Sequence, residues 1–293
     1  MHSARNSLEP ALLGFLIIIN IVSYGVAFNL NQQPLLEVDF FDVGQGDATL
    51  LKTPAGHKIL IDGGPDSTVS SGIAKQLPFW DRNIDLIILT HPDRDHMAGL
   101  IDVLKRYDAK NILWNGVVRD TPEYRAWMSV LEKEGAHIFI AQAGQVINSA
   151  KKNNLNYVRI DILYPSEELE GLELEDSNET SVVAKLNFKD HTFLFAGDIG
   201  NTTEQKLISS KIDLDSDILK VAHHGSRFST SESFVESVTP EIAIIQVGKN
   251  SYGHPSNDAL ERLKRFGIDI VRTDESGSVK IISDGKQYAV SYF

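Results

Sequence analysis

The stretch Ile88–Leu100 reads ILTHPDRDHMAGL and gathers His91, Asp93, Asp95 and His96 into six positions directly after an apolar run. Imidazole nitrogens and carboxylate oxygens at this density suit a divalent zinc, manganese or iron ion. Alone, the stretch reads equally well as a polar loop, with Asp95 capping the helix that begins near His96. More donors stand at the ends of other apolar runs. Asp62 ends KILID before Gly63-Gly64, Asp198 follows FLFAG, His223 and His224 follow DILKVA, and His254 sits in SYGHPS. A Gly-Asp pair is most often a turn, and a His-His pair is ambiguous by itself. Their common position at strand ends joins them, because a rigid sheet can there converge several side chains on one cleft.

Those ends belong to a series of expected strands. Leu36–Asp42, Ala48–Thr53 and His57–Asp62 are separated by the turn-forming GQGD and TPAG. Asp85–Thr90, DLIILT, is a continuous apolar run of the kind that a strand buried on both faces shows. Met97–Arg106 carries Leu100, Val103 and Leu104 at helical spacing. Thr121-Pro122 caps and starts a helix that presents Trp127, Val130 and Leu131 on its core side and stops at Gly135. Further strands are expected at His137–Ala141, Val158–Tyr164, Ser181–Phe188, Thr192–Ala196 and Ile218–Ala222. Glu241–Val247, Asp269–Arg272 and Val279–Ser283 complete the set, and a last helix spans Ser256–Phe266, closed by Gly267. The acidic Ser166–Glu179 has the composition of a solvated loop. No internal repeat is evident. Strands punctuated by helices fit a layered α/β domain, here one domain over residues 35–293.

The 293 residues contain no cysteine, which excludes disulfides, thiolate metal sites and a cysteine nucleophile. A net charge of −12 argues against a protein that lives by non-specific phosphate contacts. It leaves room for an enzyme whose bound ions supply the local positive charge. Ala11–Phe28 is an uncharged apolar segment of 18 residues, interrupted by Asn20, Ser23 and Tyr24. Since about 17 residues is the lower edge for a helical span, residues 1–28 read as a membrane anchor or the apolar part of a secretory signal. Gly25-Val26-Ala27 offers a small-residue cleavage site, and Arg5 favours a cytoplasmic amino terminus. With residues 29–34 (NLNQQP) as a polar linker, the body of the protein is expected outside the cytoplasm, anchored or secreted.

HPDRDH is similar to the His-x-His-x-Asp-His metal signature of the metallo-β-lactamase superfamily, and the order of Asp62, signature, Asp198 and His223-His224 matches as well. FFDVGQGDATLL, ILIDGGP, ILTHPDRDHMAGL, NETSVVAKL, FLFAGDIG, DILKVAHHGS and SYGHPS resemble one branch in particular. That branch is the soluble domain of ComEC-type DNA-uptake competence proteins and its stand-alone relatives. The resemblance covers residues 36–293. It implies a four-layer αββα sandwich, preceded here by the N-terminal hydrophobic helix, with a two-metal site of zinc or manganese at one edge of the sheets. By motif, His91 and Asp93 would serve one ion, Asp95 and His96 the other, Asp198 would bridge, and His223 or His224 or both would complete the set. Asp62 would orient a ligand through a hydrogen bond. Asp93 departs from the family's histidine, and a middle histidine ligand is not evident. Asn178 and Ser181 in NETS occupy that part of the order, and closing a loop onto a strand is the other role open to them. A more oxygen-rich site is harder, which tilts the metal towards manganese.

The implied activity is hydrolysis of a phosphodiester in DNA by water activated between two ions. Asp95 and Asp198 would orient that water, and His254 would donate a proton to the leaving group or hydrogen-bond the substrate. A membrane-embedded DNA-uptake channel is the implied partner, and no small organic cofactor is expected. A hydrolase of small phosphoesters, lactones or thioesters is the alternative within the same fold. A tethered binding module without catalysis is the alternative outside it.

Overall fold

A computed structural model describes residues 11–20, 23, 35–150, 154, 157–174 and 176–293. The chain divides into two units, Met1–Pro34 and Leu35–Phe293. In the first, residues 11–20 form a helix (α1), in which the Asn20 side chain donates to the Leu16 carbonyl at 2.9 Å. The expected membrane helix is not found: among the described residues no helix is long and apolar enough to cross a membrane. Most of the remaining segment, its cleavage site and the linker over 29–34 lie outside the described residues.

The second unit holds two large sheets. Its first half supplies β1 (Leu36–Phe40), β2 (Thr49–Lys52), β3 (Lys58–Ile61), β4 (Asn83–Ile84) and β5 (Leu86–Leu89). These are followed by β6 (Asp108–Ala109), β7 (Asn111–Trp114) and β8 (His137–Ile140). Next come β9 (Val146–Asn148), β10 (Arg159–Tyr164), β11 (Val183–Phe188) and β12 (His191–Phe195). The chain continues with β13 (Ile218–Lys220), β14 (Ile242–Ile245) and β15 (Asp269–Arg272), then closes with β16 (Val279–Ser283) and β17 (Tyr288–Tyr292). The order is β17-β16-β1-β2-β3-β5-β7-β8 in one sheet and β15-β14-β13-β12-β11-β10-β9 in the other, with β4-β6 as a separate pair. Each sheet has an antiparallel half and a parallel half; β3, β5, β7 and β8 run parallel, as do β12 to β15.

Strand periodicity explains the layers. Successive side chains point to opposite faces, so a strand covered on both sides must be apolar throughout. In β5, Leu86 and Ile88 join the core between the sheets, whereas Ile87 and Leu89 join a second core outside the first sheet. In β14, Ile242 and Ile244 face the inter-sheet core, and Ala243 and Ile245 face a third. Helices α2 (Thr68–Gln76), α3 (Arg94–Val103) and α4 (Pro122–Glu134) close the second core with Ile73, Leu100 and Trp127. Helices α5 (Asn201–Ser209), α6 (Glu232–Val238) and α7 (Asn257–Arg265) close the third with Leu207, Phe234 and Leu263. The layers therefore run helix, sheet, sheet, helix.

The α4 and α7 caps follow their sequences. Thr121 accepts from the Tyr124 amide at 3.2 Å, Ser256 accepts from that of Ala259 at 3.2 Å, and Gly135 ends α4 at a left-handed φ of 71°. Helix α3 departs from expectation, starting at Arg94 rather than Met97, so Asp95 and His96 lie in its first turn. Asp93 occupies the cap position, without a side-chain cap bond. The early start is fixed by neighbours: the Gly63 amide donates to the His96 carbonyl at 2.7 Å and the Asp47 amide to the Asp95 carbonyl at 3.2 Å.

Gly99 lets α3 lie against the Gly63-Gly64 turn, since a Cβ at 99 would stand 1.8 Å from the Gly63 carbonyl oxygen. Helix propensity alone would make Gly99→Ala stabilising by about 1 kcal/mol. The clash reverses the sign, and a net loss of about 1–3 kcal/mol is expected from overpacking. Equilibrium urea denaturation checks it; a raised midpoint would contradict the packing described.

Candidate metal centre

The donors gather at one end of the parallel strands. Asp62 follows β3, His91 lies two residues past the end of β5, Asp198 follows β12, and His223 and His224 follow β13. The backbone leaves these strands through left-handed residues, with φ of 57° at Asp62, 50° at His223 and 52° at His224. Asp and His tolerate that region better than most residues, and such conformations concentrate at functional sites.

The hydrogen bonds assign a tautomer to each buried imidazole. Thr90 Oγ1 donates to Asp62 Oδ2 at 2.7 Å, and Ser181 Oγ donates to the Asn178 carbonyl at 2.7 Å. Both hydroxyls also lie beside His91 Nδ1, at 3.1 and 3.2 Å, so they accept from it. His96 Nδ1 donates to Asp62 Oδ2 at 2.8 Å, and His224 Nδ1 donates to the Gln246 carbonyl at 2.9 Å. Each ring thus turns its Nε2 towards the others. Among the described residues these three Nε2 atoms are buried without a hydrogen-bond partner, as is Asp198 Oδ1. Buried polar atoms are rarely left unpaired, so this convergence is what a cation would satisfy.

Asp198 is the hub. Its Oδ2 lies 3.3 Å from His96 Nε2 and 3.4 Å from His224 Nε2, and the latter also lies 3.4 Å from Asp95 Oδ2. Three sets offer ligand atoms within 4.8 Å of one another around it: His91, His96 and Asp198; Asp95, His96 and His224; Asp47, Asp198 and His224. A fourth set joins Asp47, Asp62 and His96.

Burial opposes protonation of His96 and His224, but Asp198, with Asp62 beside the first and Asp47 beside the second, outweighs it. Both imidazoles are held well above their usual range. Conversely, burial alone would push the Asp198 carboxyl up, and the charges on His224 and His96 bring it well below normal. Asp95 is likewise lowered against burial by His224 and His96. His91 is lowered by burial and by the charge on His96. Without an ion, protons on two imidazoles balance the carboxylates.

The other expected residues stand around this cluster. Asp93 Oδ2 is 4.0 Å from His91 Nε2, while its Oδ1 accepts from Ser177 Oγ and lies 3.6 Å from Arg119. His223 Nε2 is 4.0 Å from Asp198 Oδ2 and 3.5 Å from the Asn178 amide nitrogen. Neither Asp93 nor His223 belongs to the ligand sets found among the described residues. Ser181 Oγ also accepts from the Asp198 amide at 3.0 Å, so it both closes its turn and touches two site residues. His254 is half-buried, its ring 5.3 Å from that of His223, and burial with the charges on His223 and His224 pushes its pKa down to about 4.

Asp47 was not expected as a donor. It ion-pairs with the buried Lys220 and reaches His224 Nδ1 at 3.2 Å. Gln246 ties its loop down, donating to the Phe41 and Ala48 carbonyls at 3.0 and 2.8 Å.

The family model described as metallo-beta-lactamase superfamily matches residues 41–249, which include this cluster. The chain belongs to the metallo-beta-lactamase superfamily. It is accordingly a mixed α/β, metal-dependent hydrolase of metallo-beta-lactamase type, with His and Asp groups able to hold metal. Among curated proteins it is 28% identical over 296 residues to ComE operon protein 3 of Bacillus subtilis (strain 168), covering 94% of this chain and 37% of that protein. It is 30% identical over 246 residues to Competence protein ComA of Neisseria gonorrhoeae, covering 83% and 32% respectively. These relatives are ComEC-type competence proteins, and the chain spans about a third of their length. Among solved structures, CmlA, a diiron beta-hydroxylase from Streptomyces venezuelae, aligns with a TM-score of 0.52 at 14% identity. That alignment covers 88% of this chain and 54% of CmlA, a likeness of fold alone.

Proposed function

We propose that the chain is a phosphodiesterase that cleaves DNA with two divalent ions, zinc or manganese, held by His91, Asp95, His96, Asp198 and His224. The observation that carries this reading is the convergence of unpartnered, buried Nε2 atoms of His91, His96 and His224 on the Asp198 carboxylate. Two carboxylates beside three imidazoles make a mixed nitrogen and oxygen donor set, suited to zinc or manganese ions that engage phosphoryl oxygen. Bound there, the ions supply Lewis-acid activation of the phosphoryl group and of the attacking water. The choice of DNA draws on the competence relatives named above.

The protein's own groups have distinct tasks. Asp62 fixes the His96 ring and, through Thr90, helps to fix that of His91, so both nitrogens are aimed before any ion arrives. Asp95, about one-third exposed, is the carboxylate of the ligand sets most open to solvent and is placed to orient the attacking water. With a pKa near 4, His254 is neutral at pH 7 and acts as a hydrogen-bonding partner for the substrate rather than as a proton donor. Asp93 and His223 border the cluster as supporting groups. The N-terminal segment would tether the enzyme to a membrane beside a DNA-uptake channel.

Two expectations follow. Asp62→Ala should weaken metal affinity about 10- to 100-fold while leaving every direct donor in place. Titration against a competing chromophoric chelator measures it, and unchanged affinity would remove Asp62 from the site. Metal binding should also strengthen with pH. The raised pKa values of His96 and His224 mean that their protons stabilise the metal-free fold fully below the ordinary histidine range, an effect lost as pH rises through the folded values. An ion must displace those protons, so apparent affinity should rise about tenfold per pH unit for each proton released. Calorimetry in buffers of different ionisation enthalpy counts them; a pH-independent affinity would contradict the assignment.

The function itself is tested by measuring the metal content of the purified chain, then assaying manganese- and zinc-loaded protein. Substrates are single- and double-stranded DNA, bis-p-nitrophenyl phosphate and a lactone panel. Cleavage of DNA and the model diester is expected. Activity on small esters with none on DNA would instead assign a small-molecule hydrolase, and a metal-free, inert protein would refute both.

A further inference from the structure

We infer that the loops around Arg227 and Tyr252 form a nucleobase-stacking subsite beside the metal cluster, engaging an unpaired base and its phosphate on the DNA strand being cut. The inference rests on the phosphodiesterase reading for its substrate class, but its geometry stands apart from the metal ligands.

A cavity of about 440 Å³ is lined by Arg227, Phe228, Tyr252, His254, Ser256 and Asn257 among others. His254 connects it to the cluster, its ring 5.3 Å from that of His223 and 6.5 Å from that of His224. Two large aromatic rings stand open to solvent here, Phe228 at 63% and Tyr252 at 74% exposure. The Arg227 guanidinium lies over the Phe228 ring at 4.7 Å, and Tyr252 stacks on His254 at 5.8 Å with 29° between the planes. Exposed rings interleaved with a cation are the composition that holds single-stranded nucleic acid, because every base offers a π-face and every linkage a charge. Serine hydroxyls and the Asn257 amide add groups able to meet a base edge.

The rings sit on backbone that is held in place. Glu204, buried, accepts from the Thr230 and Ser231 amides, and Arg262 donates to the Ser229 and Thr230 carbonyls at 3.1 and 2.8 Å. The Phe228 carbonyl accepts from the Asn201 amide at 3.0 Å. Across the cavity, Asn250 Oδ1 accepts from the Tyr252 and His254 amides at 3.0 and 3.1 Å. The two loops meet at Gly225, where φ is +81° and a Cβ would stand 2.7 Å from Pro255 Cβ. There the Ser256 amide also donates to the Gly225 carbonyl at 2.9 Å. Restraining a loop that presents bare aromatic surface lowers the entropy lost when a ligand stacks there. A paired base cannot offer its face to either ring, so the subsite favours single strands and frayed ends.

The test compares two short oligonucleotides of equal length and charge, one carrying bases and one abasic, by fluorescence anisotropy in chelator. The full chain and its Phe228→Ala/Tyr252→Ala double variant are measured side by side. The wild type should bind the base-bearing strand at least about tenfold more tightly, within the range of one stacked base. The double variant should bind both strands within about twofold. Phe228→Tyr with Tyr252→Phe, which keeps both rings, should retain the preference. A wild type without preference, or a double variant that keeps it, overturns the subsite. Hydrolysis is read separately: a loaded wild type that cleaves no phosphodiester defeats the enzymatic reading, while the binding ratio still decides the stacking one.

Discussion

Asp198→Ala is expected to lose tight metal binding and to slow hydrolysis of bis-p-nitrophenyl phosphate by about a thousandfold or more, an effect of roughly 4 kcal/mol on the barrier. One carboxylate oxygen stands within 3.4 Å of both His96 and His224 Nε2, and Asp198 belongs to two of the ligand sets. Among the described residues no other carboxylate reaches the same pair at those distances, since Asp95 meets only His224. The fold should survive, because Asp198 follows β12 and lies outside the apolar layers. The variant should also lose part of the rise in His96 and His224 basicity, so histidine titration followed by NMR would move towards the ordinary range. Metal content, turnover and far-ultraviolet circular dichroism on one preparation separate a site effect from misfolding. Retention of metal and full activity would refute the cluster as the catalytic centre.

A second large effect is expected at Asp47. Lys220 is buried at 3% exposure on the face of β13 shared with Ile218, which packs between the sheets, and Asp47 is its ion-pair partner. Asp47→Ala would leave an uncompensated ammonium in that interior, a loss of about 3–5 kcal/mol. In metal-free protein this should lower the melting temperature by roughly 6–20 °C. Lys220→Met in the same chain should restore most of it, because the pair is worth far less than the penalty of breaking it. Melting of both single variants and the double variant completes the cycle. A double variant as unstable as Asp47→Ala would show that Asp47 acts through His224 or the hairpin rather than through Lys220.

The difference between Asp198 and Asp47 also describes how far the sequence can be read. Asp198, His91 and the His223-His224 pair each terminate an apolar run, so local pattern marks them and the superfamily signature orders them. Asp47 lies in a turn between two hairpin strands, and its partners Lys220 and His224 are more than 170 positions away. Nothing periodic links them. A signal did exist in DILKVA: a lysine on the inward face of a buried strand requires an anion. Strands such as β5 and β14 were legible because their two-faced burial makes them apolar throughout, whereas β7 (Asn111–Trp114), inside the first sheet, was not expected. Helix α2, TVSSGIAKQ, was not, since serine, glycine and β-branched residues are weak helix formers. It forms where Val69 and Ile73 cover the first sheet. Asp93, expected as a ligand from its position in HPDRDH, stands at the cap position of α3, its carboxylate 4.0 Å from His91 Nε2 and beside Ser177 and Arg119.

The proposed ligands come from both sheets: His91, Asp95 and His96 from the segments around the first, Asp198 and His224 from those after β12 and β13 of the second. An ion shared between them would rivet the sandwich at one seam, closing a chain loop of more than a hundred residues. Loading should therefore act mechanically as well as chemically. Amide protons near the ends of β5 and β12 should exchange more slowly together, and under a pulling force the loaded protein should resist sliding of one sheet over the other.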